Sequence, residues 1–72
     1  MITQLDFYNF VCERLGELLR ESKREDMTSK QVLLNKDLIK TNLKIAKSTE
    51  DIFKIRRIKF TKVNFSELEA CL

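Results

Sequence analysis

Between Tyr8 and Leu19 the apolar residues Tyr8, Val11, Cys12, Leu15, Leu18 and Leu19 recur at spacings of three and four. That spacing places them on one stripe of a helix and predicts an amphipathic first helix. Thr3 and Asp6 are its candidate caps, and the charge-rich run from Glu21 to Asp26 ends it. Gly16 falls near the stripe's edge, where it costs about 1 kcal/mol against Ala; close packing of a neighbour is the expected compensation. A second helix is expected from Thr28, because Thr28 and Gln31 form a capping-box pair ahead of Val32 and Leu33.

The pattern then becomes ambiguous from Asn35 to Ser48. Leu38, Leu43 and Ala46 suit the core side of a short third helix over about Ile39 to Lys47. Ser48 or Thr49 is placed to cap a fourth helix that turns Ile52, Phe53 and Ile55 inward. Asn64 and Glu67 make a last capping pair before Phe65, Leu68 and Leu72. The expectation is a single all-α domain over residues 1–72, a bundle of about five short helices.

Composition supports the helical reading and narrows the chemistry. The 72 residues contain no Pro and one Gly, whereas sheet-rich chains need turn residues. Hydrophobic residues make up 43% and charged residues 35%, too apolar for disorder and too charged for a membrane protein. No apolar run approaches the ~18–20 residues that span a bilayer. Cys12 and Cys71 sit far apart, and without His an ordinary zinc site lacks ligands. Both cysteines read as small buried hydrophobes in a reducing cytoplasm, and nothing at the start resembles a signal peptide.

Catalysis is not expected. Nucleophilic mechanisms usually need a base of the histidine kind beside Ser or Cys. Glu13, Glu17 and Glu21 lie along one helix face near Arg14, Arg20 and Arg24, which reads as a solvated surface. One glycine cannot build a phosphate loop. No cofactor, metal or small-molecule substrate is expected, and the partners are macromolecules.

Charge is segregated along the chain. Residues 1–26 carry six acids and four bases, residues 27–62 carry ten bases and three acids, and the last ten residues add two acids. A middle segment this basic suits a polyanion, because each phosphate contact releases condensed counterions.

With position 1 at Ser29, the apolar positions 4, 10, 15 and 18 of a twenty-residue helix-turn-helix become Val32, Leu38, Leu43 and Ala46. The chain therefore resembles the lambda-repressor and Cro-like helix-turn-helix regulators of temperate phages, with the motif at about residues 29–48. It departs from them at Leu33, Lys36 and Asp37, where the family has a small residue, an apolar residue and Gly. A gapped register instead puts "STEDIFKIRRIKF" at the motif's end, with Ile52 and Ile55 in the recognition helix. The resemblance implies a transcription regulator of a lysis/lysogeny switch, acting at operator DNA with or against a partner repressor. Size and style also resemble the modulator-of-repression antirepressors of such phages. The alternative is thus a pure protein-binding antirepressor that sequesters a repressor's DNA-binding domain.

In the ungapped register Ile39, Lys40, Thr41, Asn42, Lys44 and Lys47 face outward. Of these, Lys40, Thr41, Asn42, Lys44 and Lys47 are the candidate DNA-reading residues, with Asn42 suited to an adenine edge and the lysines to guanine or phosphate. Lys30, Arg56, Arg57 and Lys59 are candidate phosphate contacts. Phe10 lies roughly opposite the helix 1 stripe, beside Glu13, Arg14 and Glu17. An aromatic in that position is the candidate contact to a protein partner.

Overall fold

The computed structural model describes residues 2–72, and three helices account for its regular structure: α1 (Gln4–Ser22), α2 (Ser29–Arg56) and α3 (Ser66–Ala70). The start of α1 is set by a capping box. Thr3 Oγ1 accepts from the Asp6 N–H at 3.1 Å, and the Asp6 carboxylate accepts from the Thr3 N–H at 3.2 Å. Thr28 and Gln31 form the same reciprocal pair at the head of α2. Each box satisfies two of the backbone donors that a helix start leaves unpaired.

α1 and α2 pack as an antiparallel hairpin. Tyr8 of α1 reaches Glu50 of α2, and Leu18 reaches Asn35, so residue numbers run in opposite senses along the contact. The expected stripe of α1 is the buried one: Tyr8, Val11, Leu15 and Leu18 are in the core, with Cys12 and Leu19 packed against it. From α2 come Ile39, Leu43, Ala46 and Phe53. The C-terminal segment then folds back over one side of the hairpin and adds Ile58, Phe60, Phe65 and Leu68. Phe53, Phe60 and Tyr8 meet in an aromatic cluster, with ring centroids 5.1–5.6 Å apart and the two Tyr8 pairs edge-on.

The bundle of about five helices is not what forms. One helix of 28 residues occupies the span read as helices two, three and four. No turn interrupts it near Asp37, so the helix-turn-helix at about residues 29–48 has no turn to build it, in either register. The reason is local. Residues 33–39 hold neither Pro nor Gly, so nothing there breaks a helix. Thr49, read as a cap, and Asn42, read as an outward DNA contact, are both satisfied within the helix: Asn42 Nδ2 donates to the Leu38 carbonyl and Thr49 Oγ1 to the Ile45 carbonyl, both at 2.8 Å. Such bonds to the carbonyl four residues back let Asn and Thr sit in mid-helix.

Other assignments shift with it. Ile39, expected outward, is fully buried, while Val32 is partly exposed and Leu38 half-buried. Phe53 points inward as expected; Ile52 and Ile55 do not, and Ile55 is 81% exposed. Leu72 is also exposed. Asn64 does act before the last helix, accepting from the Ser66 N–H at 2.9 Å, but α3 begins only at Ser66, and Glu67 instead pairs with Lys23. Around Gly16 nothing packs closely: a Cβ there would meet only the Arg20 guanidinium, at 3.9 Å.

α2 ends through Arg57, whose φ of 56° places it in the left-handed region. That conformation is unusual for a residue with a Cβ. It turns the chain so that the Ile58 N–H donates to the Phe53 carbonyl at 2.8 Å, and the segment starts back along the hairpin.

Candidate binding surfaces

Helix positions advance by about 100° each, so three sides of α2 can be separated. One side is the core. A second, next to the C-terminal segment, carries Lys36, Lys40, Lys44 and Lys47 on successive turns, all exposed. Lys47 is paired with Glu69 of α3. Lys36, Lys40 and Lys44 take part in none of the ion pairs found among the described residues. These three ammonium groups, spread over roughly 12 Å of helix, make a straight basic edge on a rigid element.

The candidate DNA-reading residues are thus only partly brought together. Lys40, Lys44 and Lys47 share the basic edge, whereas Thr41 and Asn42 turn towards the opposite side of the hairpin. Asn42 is half-buried and its amide is held by its own helix. The candidate phosphate contacts divide between the two ends of α2. Lys30 lies in the first turn, Arg56 and Arg57 close the last, and Lys59 follows in the returning segment. With about 39 Å of helix between Lys30 and Arg56, these four cannot flank one short recognition helix. Lys36 is the residue sequence reasoning passed over; its spacing of four from Lys40 was the available signal.

The third side of α2 carries Leu34, Leu38, Ile45 and Ile52, and it borders the flank of α1 that carries Phe7, Phe10 and Arg14. Glu21 of α1 and Leu34 and Leu38 of α2 line one shallow cleft on this side. α3 lies on the other, where Lys23 and Lys47 meet its glutamates. The hairpin therefore has one covered and one open side. On the open side Leu34 is 60% exposed and Phe7 43%. Phe10, at the edge of this side, is 65% exposed and no element among the described residues covers it.

The deepest polar feature is the Tyr8–Glu50 pair. The Tyr8 hydroxyl donates to Glu50 Oε2 at 2.6 Å inside the core. Burial, reinforced by the hydrogen bond to Glu50, pushes the Tyr8 phenol well above its ordinary range. Burial likewise raises the Cys12 thiol, with the Tyr8 hydrogen bond opposing and Glu50 adding to the rise. A raised thiol is an unreactive one. Both cysteines are free and half-buried. Among the described residues no group of three His, Cys, Asp or Glu side chains is gathered to hold a metal, and no helix is long and apolar enough to cross a membrane.

No family model matches the chain, and neither a curated protein nor a solved structure is similar to it.

Proposed function

We propose that the chain is a small regulatory module that binds DNA through phosphate contacts along the lysine edge of α2. The supporting observation is that edge: Lys36, Lys40 and Lys44, exposed on successive turns and without carboxylate partners among the described residues. Cations left unpaired on a rigid helix suit a polyanion, since counterion release drives the association. With no turn in α2, no separate recognition helix is held out to enter a groove. The binding is therefore phosphate-directed, in the setting of transcription control that the sequence resemblance implies. The test is a fluorescence-anisotropy titration against mixed duplex DNA over a salt series. Binding is expected to weaken steeply with salt, and changing Lys36, Lys40 and Lys44 together to Gln should flatten the log–log slope by roughly 3, near 0.9 per lost contact. An unchanged slope in that variant removes the reading.

A second reading is favoured by Phe10. An exposed aromatic of this kind is a common anchor of protein interfaces, which suits an antirepressor that grips a repressor's DNA-binding domain. It predicts no DNA binding even at low salt, and a repressor-domain complex that Phe10→Ala weakens about tenfold or more.

A further inference from the structure

The hairpin is a thin slab. The molecule measures 42 × 25 × 15 Å, and its C-terminal segment covers only one of the slab's two sides. A helix layer normally buries its apolar stripe against a second layer. On the open side that second layer is missing, while Phe7, Phe10, Leu34, Ile45 and Ile52 stand at least 37% exposed.

We infer that this side is covered by a second copy of the chain, α1 of each copy lying over α2 of the other, to give a two-fold symmetric four-helix arrangement. The inference stands apart from DNA binding, although Lys44 of the lysine edge enters its charge pairing. Charge, shape and area carry it.

Charge selects the partner and the orientation. α1 holds four acids and two bases, net −2, and α2 holds seven bases and three acids, net +4. Face-to-face packing about a two-fold axis permits two arrangements. An axis running across the helices would stack α1 on α1 and α2 on α2, like charge upon like. An axis running along them stacks α1 on α2 twice, opposite charges in both layers. It also preserves height along the hairpin, so the contacts can be read from those within one chain. Tyr8 stands level with Glu50 and Leu18 with Asn35, hence Glu13, midway between them along α1, stands level with about residues 42–44. Glu13 on the outer edge of α1 thus approaches Lys44 on the outer edge of the second copy's α2.

Shape agrees with that arrangement. The α1 half of the face presents the two large rings, Phe7 and Phe10. The α2 half alternates bulk with gaps, because the small residue Thr41 falls between Leu38 and Ile45, and Ser48 between Ile45 and Ile52. At preserved height Phe10 falls level with Ser48, between Ile45 and Ile52. Large residues on one half opposite gaps on the other make the face complementary to itself.

Area sets the strength. The face spans α1, about 28 Å long, and two helix widths, so each copy buries on the order of 600 Å². The total of roughly 1,200 Å² is at the lower end for specific interfaces and fits a micromolar dimer.

Sedimentation equilibrium of the whole chain at about 200 µM, well above a micromolar dissociation constant, is the test. The expected mass is twice the 8.6 kDa of one chain. Ile45→Glu should return the chain to monomer with unchanged helical circular dichroism, and Phe10→Ala should weaken association about tenfold. Glu13→Lys and Lys44→Glu should each weaken it, and the double exchange should restore it. A wild-type chain that is monomeric at this concentration overturns the inference and leaves the face to a foreign protein. A dimer indifferent to Ile45→Glu places the contact elsewhere and overturns it too. A dimer that Ile45→Glu breaks, but that the double exchange fails to restore, overturns the proposed stacking.

Discussion

Single residues in this chain differ sharply in how far the sequence alone discloses their role. Thr3, Asp6, Thr28 and Gln31 were legible because a capping box is local chemistry: four residues suffice to make both hydrogen bonds. Gly16 was legible as a cost, and its expected compensation is absent. It sits inside α1, its φ is not positive, and a Cβ would have open room with only Arg20 at 3.9 Å. Gly16→Ala should therefore stabilise the fold by about 0.5–1 kcal/mol, chiefly by narrowing the unfolded ensemble. Urea unfolding measures it, and a loss of stability would reveal a close approach the packing does not show. Tyr8 and Glu50 lay at the other extreme. Nothing in sequence links residues 42 positions apart, so the buried pair emerges only once the helices are docked.

At the scale of elements, α1 was readable because its core positions are almost all apolar, while α2 was not. The inward side of α2 includes Asn35, Thr49 and Glu50, all buried, and its outward sides include Leu33, Leu34, Ile45 and Ile52. Polar residues inside and apolar residues outside blur the 3.6-residue period on which pattern reading rests. Ser48 and Thr49 then invite a cap that the fold does not use. The polar insiders have structural partners: Asn35 donates to the Leu18 carbonyl and Glu50 accepts from Tyr8. Of the apolar outsiders, Leu34, Ile45 and Ile52 find no cover among the described residues and lie on the open face, while Leu33 falls beside the lysine edge. The same irregularity that produced the five-helix expectation thus marks both the docking of α1 and the unpaired side. Continuity of α2 is directly testable at Asp37→Pro. Within a helix this change removes one backbone hydrogen bond and clashes with the carbonyl of Leu33, costing about 3 kcal/mol or more and lowering the helical circular dichroism. A turn at Asp37 would accept it at little cost, so retention of stability would bring back the interrupted helix.

At the scale of the whole molecule, the question is what keeps the C-terminal segment in place, because α3 cannot stand by itself. Five residues lie far below the length at which an isolated helix persists in water. Its ion pairs, Lys23–Glu67 and Lys47–Glu69, are exposed and contribute little. The anchor must be apolar, and it has two parts. Phe65 and Leu68 insert from the α3 end, and Phe60 joins the cluster with Tyr8 and Phe53. Phe60 is the nearer of these to the turn at Arg57, so it fixes where the returning segment begins. Phe60→Ala removes the ring from two aromatic contacts and leaves Phe65 and Leu68 at the end of a longer untethered loop. The expected loss is about 2 kcal/mol, less than for a fully enclosed Phe because Phe60 is half-buried. Amide exchange then separates two outcomes. If the segment is a subsidiary unit on a self-sufficient hairpin, exchange should accelerate from residue 58 onward while the amides of α1 and mid-α2 keep their protection. If protection falls uniformly across α1 and α2 as well, the segment and the hairpin unfold as one. The C-terminal residues are then as much a part of the core as Leu15 or Leu43.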